Sequence, residues 1–178
     1  MIPQPLGVVV HDQGAALEET LSEVRDRLKR DCPRIRLGGL LPRFGERYSN
    51  GKRSMWLDDL RVGDTIPLSQ DLGAGSMSCC LDPNGIAVAR VRLAEAVSAG
   101  IDILFVGRFA KEELAGHGVR EEIALAVGSG VPALVAVERT IIPGWRDFAG
   151  ADWTALPLDV GPILNWVVAV AGQMPLNK

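Results

Sequence analysis

The chain has 178 residues, 47% of them hydrophobic, with a formal net charge of −3. That is enough apolar material for a core without disulfide staples, and too little positive charge to argue for DNA or RNA as a partner. No apolar run approaches the roughly 18 residues that cross a bilayer, so membrane insertion is not expected. The opening MIPQPLGVVVHD has no basic stretch ahead of its short apolar run, which reads against a signal peptide and towards the cytoplasm. Three cysteines, Cys32, Cys79 and Cys80, do not form a disulfide framework.

In chain order, Leu6 to Val10 reads as a first buried strand. His11-Asp12-Gln13-Gly14 turns into a helix on which Leu17, Leu21, Val24 and Leu28 recur at helical spacing, until Pro33 ends it. A second strand, Ile35 to Leu41, is expected to stop at Pro42-Arg43, making the opening a βαβ signature. From Phe44 to Leu81 the character changes. Asn50-Gly51, Val62-Gly63-Asp64 and Gly73-Ala74-Gly75 are turn signals between short extended runs, which predicts an antiparallel meander inserted at 44–81. Asp82-Pro83 is an N-cap followed by a first-turn proline, opening a helix that runs to about Ala99 and stops at Gly100.

Next comes IDILFVGRFAKEELAGHGVREEIALAVGSGVPALVAV, from Ile101 to Val137. The runs ILFV and ALVAV are continuously apolar and rich in branched residues, as strands covered on both faces are. Between them Leu114, Ile123 and Val127 suggest one apolar helix face. Lys111, Glu112, Glu113, Arg120, Glu121 and Glu122 are left mostly for water, and Gly128 and Gly130 form the stop. This is a βαβ unit with parallel strands. The stretch TIIPGWRDFAGADW reads as a looser segment, and a last apolar helix is expected near Gly161 to Ala171. The whole, 1–178, reads as a single α/β domain with a mainly parallel sheet flanked by helices.

Ligands on such sheets collect past the C-terminal ends of the strands. After the first strand, a phosphate-binding loop would need several glycines and a lysine. His11-Asp12-Gln13-Gly14-Ala15-Ala16 has one glycine and no lysine, and Glu18 and Glu19 follow it. The free N–H groups around Gln13, Gly14 and Ala15 still suit a small anion. After ILFV, a nucleotide hydrolase would want a carboxylate for magnesium. The chain has Gly107-Arg108, with Asp102 too early and Glu112 and Glu113 a helical turn later. Arg108 and Lys111, with Arg43, suit an anion better than a metal, arginine being a fixed fork of donors. Ser76, Ser78, Cys79 and Cys80 would cover the site, one thiol pointing inward. Neither His11 nor His117 stands at a zinc spacing from the cysteines. Trp56, Trp145, Trp153 and Trp166 read as core or dimer contacts.

Two resemblances follow. The order of elements resembles the small THEP-type nucleoside-triphosphatases, with HDQGAALEET where their phosphate loop lies and VGRFAKEE where their acidic turn lies. RLGGLLPR, GAGSMSCCLDPNGIA, RFAKEELAGHGVREEIA, VPALVAV and WRDFAG more closely resemble a bacterial domain family whose members often occur beside molybdate-type ABC transporter genes. Its members commonly carry NKFGKxE where Gly107 to Glu113 stand here. The resemblance implies a P-loop-like fold with a degenerate phosphate loop. Together with the donors gathered at the strand ends, it points to a small anionic ligand, molybdate, tungstate or a nucleotide, and to a partner from molybdate transport or a molybdoenzyme; the tryptophans and the apolar C-terminal helix suggest a homodimer patch. A weak nucleoside-triphosphatase using Asp12, Glu112 or Glu113, and an interaction protein without a small ligand, are the rival expectations.

Overall fold

The computed structural model describes residues 3–76 and 80–172. Ser78 and Cys79 lie outside them. The first strand, β1 (Leu6–His11), is followed by α1 (Leu17–Asp31), whose Leu17, Leu21, Val24 and Leu28 are its buried residues. The next strand departs from expectation. Rather than stopping at Pro42, β2 runs from Leu37 to Arg47. It pairs in parallel with β5 (Ile103–Phe109) only as far as Leu40↔Val106. Pro42 has no N–H to give to a neighbouring strand, and from there β2 continues as one arm of the meander. It pairs antiparallel with β3 (Arg53–Asp59) through the Asn50-Gly51 turn, and β3 pairs with β4 (Thr65–Pro67) through Gly63.

The chain then enters α2 (Pro83–Ser98), where the Asp82 carboxylate accepts from Asn84 N at 2.9 Å as an N-cap. After β5 the expected single helix is two: α3 (Lys111–Leu114) and α4 (Arg120–Gly128), separated at Gly116-His117-Gly118. Its faces differ from the periodic reading. Leu114 and Val127 are exposed at 36% and 37%, whereas Glu113 and Glu122 are each only 7% exposed. The break at 116–118 resets the helical phase, so one face cannot hold Leu114, Ile123 and Val127 together. The β5–β6 unit is otherwise as read, with β6 (Ala133–Glu138) lying parallel and next to β5.

The segment after β6 is helical rather than loose. A 3-10 turn over Arg139–Ile141 leads into α5 (Ile142–Ala149), with Pro143 in its first turn, where a missing N–H costs nothing. Trp145 is fully buried, edge-on to Phe109 at 4.9 Å between ring centroids. Aromatic packing holds a helix that its turn-forming residues did not announce. A short edge strand, β7 (Thr154–Pro157), precedes α6 (Val160–Ala171), the expected last helix.

Among the described residues the sheet order is β4-β3-β2-β5-β6-β1-β7, parallel except for β3 and β4. The opening unit is therefore not compact, because β6 and β5 stand between β1 and β2. Alternation along the central strands divides the core. Val8, Leu104, Val106, Val135 and Val137 pack with Ala89, Leu93, Ile123, Ala126 and Trp145 on the α2, α4 and α5 face. Val9, Ile103, Phe105, Leu134 and Ala136 pack with α1 and α6 on the other. Full burial of each such large side chain contributes about 1.5–3 kcal/mol. No helix among the described residues is long and apolar enough to cross a membrane.

Candidate functional site

The end of β5 is shaped by one extra residue. Val106 faces Val135 and Phe109 faces Val137, so three steps on β5 oppose two on β6. Such a bulge re-aims a side chain. Here it lets Val106 and Phe109 both join the same core while Arg108 emerges into solvent. Gly107 lies against the Pro42 ring, and a Cβ there would overlap Pro42 Cδ. The pair lets the two strands part beside one another, and a cleft opens between the meander, α2 and the start of α3.

This cleft has a volume of about 540 Å³. Phe44, Met55, Leu57 and Leu68 of the meander region, with Ile86 of α2, supply apolar wall; Lys52, Arg108, Lys111, Glu112 and Glu138 supply charge. Glu113 lines it too but is committed to the backbone. Its Oε2 accepts from Ala110 N at 2.8 Å and its Oε1 from Val119 N at 3.1 Å, tying the end of β5 to the start of α4. Glu138 accepts from the Thr140 hydroxyl at 2.6 Å. The Arg108 and Lys111 side chains have no ion pair or hydrogen bond among the described residues, and both are exposed. Cys80 lines the cleft and is buried, only 8% exposed.

The other expected site residues lie elsewhere. Arg43 sits in an adjoining groove of about 290 Å³ with Phe44, Gly45, Trp56 and Thr65, its Nε 3.1 Å from Asp58 Oδ1. Ser76 is half-buried in the connection before Cys80 and is not part of the cleft lining. Gln13, Gly14 and Ala15 are exposed above β1 and line neither space. Ala15 N donates to Asp12 O at 3.2 Å, so one of the expected anion donors closes its own turn. Glu18, in the first turn of α1, accepts from Phe44 N at 3.2 Å. Asp12 Oδ1 accepts from Arg139 Nε at 2.8 Å, and this hydrogen bond and the arginine's charge hold the Asp12 carboxyl below the usual range. His11 is buried, its Nδ1 3.2 Å from Asp12 O and its Nε2 without a partner among the described residues. Among the described residues, no three His, Cys, Asp or Glu side chains come together as a metal site.

The aromatic and apolar wall was not foreseen. Arg53-Ser54-Met55-Trp56-Leu57 does not alternate, so its faces could not be assigned from sequence. Burial of Glu113 did leave a signal, since an acid at the third helical position after Ala110 can reach back to the N-cap N–H.

Residues 6–166 match the family model DUF2478, described as a protein of unknown function. The chain belongs to this family. It is also 32% identical over 164 residues to the molybdenum import ATP-binding protein ModC 2 of Bradyrhizobium diazoefficiens, a match covering 92% of this chain. The chain spans only 18% of that relative's length. In fold it is similar to the crystal structure of THEP1 from the hyperthermophile Aquifex aeolicus, with a TM-score of 0.57 and 11% identity, over 97% of this chain and 99% of that one. This DUF2478 member thus has an α/β fold like that of THEP1, a mainly parallel sheet flanked by helices. The loop after β1 carries no lysine in that setting.

Proposed function

We propose that the chain binds a small anionic ligand over the strand ends and does not hydrolyse a nucleoside triphosphate. The observation that carries this reading is the pair Arg108 and Lys111, unpaired at the rim of the cleft and offset from each other by the β5 bulge and the start of α3. Two exposed cations without partners are stabilised by an arriving anion, and arginine presents several donors to its oxygens at once. Molybdate, tungstate and nucleotides are the first anions to examine, given the molybdenum import ATP-binding relative. The partners that accompany this reading are a second copy of the chain, or a protein of molybdate transport or of a molybdoenzyme. Exposed Val88 and Val91 on α2 and Leu125 on α4 offer an apolar surface for either.

The hydrolase alternative has weaker support. Glu113 already accepts two backbone N–H groups and Asp12 is engaged by Arg139, which leaves Glu112 as the carboxylate to hold magnesium.

A thermal-shift screen against molybdate, tungstate, sulfate, phosphate, ATP and GTP, with and without magnesium, tests the proposal. A ligand at a hundred times its Kd stabilises the native state by about 2.7 kcal/mol, a readily measured rise in Tm. The expected result is a magnesium-independent shift that the double variant Arg108→Ala/Lys111→Ala abolishes. An unchanged shift in that variant, or magnesium-dependent phosphate release lost on Glu112→Gln, would overturn it.

A further inference from the structure

The polar and apolar parts of the cleft are sorted. Among the described residues, its polar side chains gather where β5 and β6 end, between Arg108 and Glu113 and at Glu138 and Thr140, apart from Lys52 and Cys80. Much of the remaining wall is aliphatic. Met55 and Leu57 of β3, Leu68 after β4 and Ile86 of α2 line it, each half-buried. Met55 and Leu57 stand two apart on the strand and so share one face, the one on which Leu57 packs against the α2 side of the core. Leu40 and Val106, both buried in that core, close the floor. Half-buried apolar side chains around one concavity leave apolar surface in water, and a matching apolar body would remove it.

Size and lining narrow what that body is. The cleft holds about 540 Å³, inside the range of about 300–1,000 Å³ typical of sites for organic ligands. A bare oxyanion takes roughly the space of two or three waters at about 30 Å³ each, and would leave most of the cleft unfilled. The rings on this face are already engaged. Phe109 is edge-on to Trp145 at 4.9 Å between centroids, and the Arg53 guanidinium lies 5.2 Å from the Phe44 centroid. The aliphatic side chains and the Met55 thioether stay open, and they adapt to a flexible chain. At the charged end, Glu112 and Glu138 line the cleft beside Arg108 and Lys111. Two carboxylates next to two cations disfavour a polyanion and suit a single negative charge. A carboxylate carries one charge and gives arginine a partner for two parallel hydrogen bonds.

We infer that the cleft takes an aliphatic carboxylate. Its carboxylate meets Arg108 and Lys111, and its alkyl chain lies between the β3 wall at Met55 and Leu57 and the Ile86 side of α2. This rests on the anion site proposed above and narrows its occupant.

The test is calorimetric titration of the full chain with butanoate, hexanoate, octanoate and decanoate, each below its micelle concentration, and with octylammonium as the oppositely charged control. Affinity is expected to rise about fourfold for each methylene that enters the cleft, and to level off once the cleft is full. Octylammonium should bind more weakly than octanoate. Met55→Gln and Ile86→Gln, both at half-buried positions, should each flatten the rise with chain length. Arg108→Ala/Lys111→Ala should instead keep the rise and remove the advantage over octylammonium. Affinity independent of chain length in the unaltered protein overturns the inference. So does a rise that survives both glutamine variants, or octylammonium binding as tightly as octanoate. If phosphate or molybdate still gives a thermal shift that needs Arg108 and Lys111, the anion site stands and only the alkyl body is wrong. If no anion binds, with or without a chain, both readings fall.

Discussion

The strand ends above β1 and above β5 were both candidate ligand positions, and they are built in opposite ways. Above β1, residues Asp12 to Ala16 are all exposed, α1 has no side-chain N-cap, and Gly14, at φ +76°, has nothing within 4 Å of where a Cβ would lie. Among the described residues, that turn's side-chain contacts beyond the local His11 one are the ion pair from Asp12 to Arg139 and the Thr20 hydroxyl donating to Ala16 O at 2.8 Å. Above β5, the backbone is enclosed: Gly107 against Pro42, Phe109 against Trp145, and Glu113 joining two backbone segments. A site that holds its ligand with side chains needs a rigid support. The β5 end has one and the β1 turn has little of one, which is why the ligand site is proposed at β5.

The largest expected effect comes from adding one methyl group at each place. Gly107→Ala drives a Cβ into a proline ring that cannot rotate away, and is expected to destabilise by about 3 kcal/mol or more. Gly14→Ala meets open space and costs only the positive backbone angle, about 1–2 kcal/mol. Urea denaturation of both variants measures the difference, and equal effects would remove the contrast.

Next in size is Glu113→Ala. It leaves the Ala110 and Val119 N–H groups without their acceptor in a buried setting, at a cost of about 2–3 kcal/mol. Hydrogen exchange should quicken at those two amides, and the amides of the 12–16 turn should be unaffected. Faster exchange across both regions would mean that the two ends are mechanically coupled.

The smallest effect belongs to Arg139→Ala. Asp12 is held below its ordinary pKa by Arg139, so the pair's contribution is present above the unfolded carboxylate value, near pH 4. It is lost as the pH falls through the lowered folded value. Removing Arg139 should raise the Asp12 pKa towards the ordinary value in a carbon-13 carboxyl titration, with melting at neutral pH almost unchanged because both groups are exposed. A large fall in Tm would show that the β1 turn is better supported than this contrast allows.

Much of the scaffold was legible in advance. The ILFV and ALVAV runs, the Asp82-Pro83 start and the four α1 leucine and valine positions each carry a local cause, and each stands where expected. Legibility failed where two distant segments decide the outcome. The helix over Ile142–Ala149 depends on Trp145 meeting Phe109, although Ile142, Trp145 and Phe148 do stand three apart in sequence. The burial of Glu122 depends on Arg90 of α2, whose Nε donates to it at 2.9 Å. For the site, Arg108 and Lys111 were recognisable by charge and by their place after a buried strand. Their separation from Gln13, Gly14, Ala15 and Arg43 was not, because sequence order does not say which strand ends share a face.

The sequence by itself determined an α/β chain with a parallel core, an antiparallel meander after Pro42, and a first turn lacking the lysine of a phosphate loop. These follow from apolar runs, turn residues and side-chain charge, which act over a few residues at a time. Only the tertiary structure decided that β6 and β5 stand between β1 and β2, and that the meander's Met55 and the α2 residue Ile86 wall one cleft with Arg108 and Lys111. Strand order and cleft shape are set by how helix faces and sheet faces bury one another across the whole chain, and no local window of sequence contains that information.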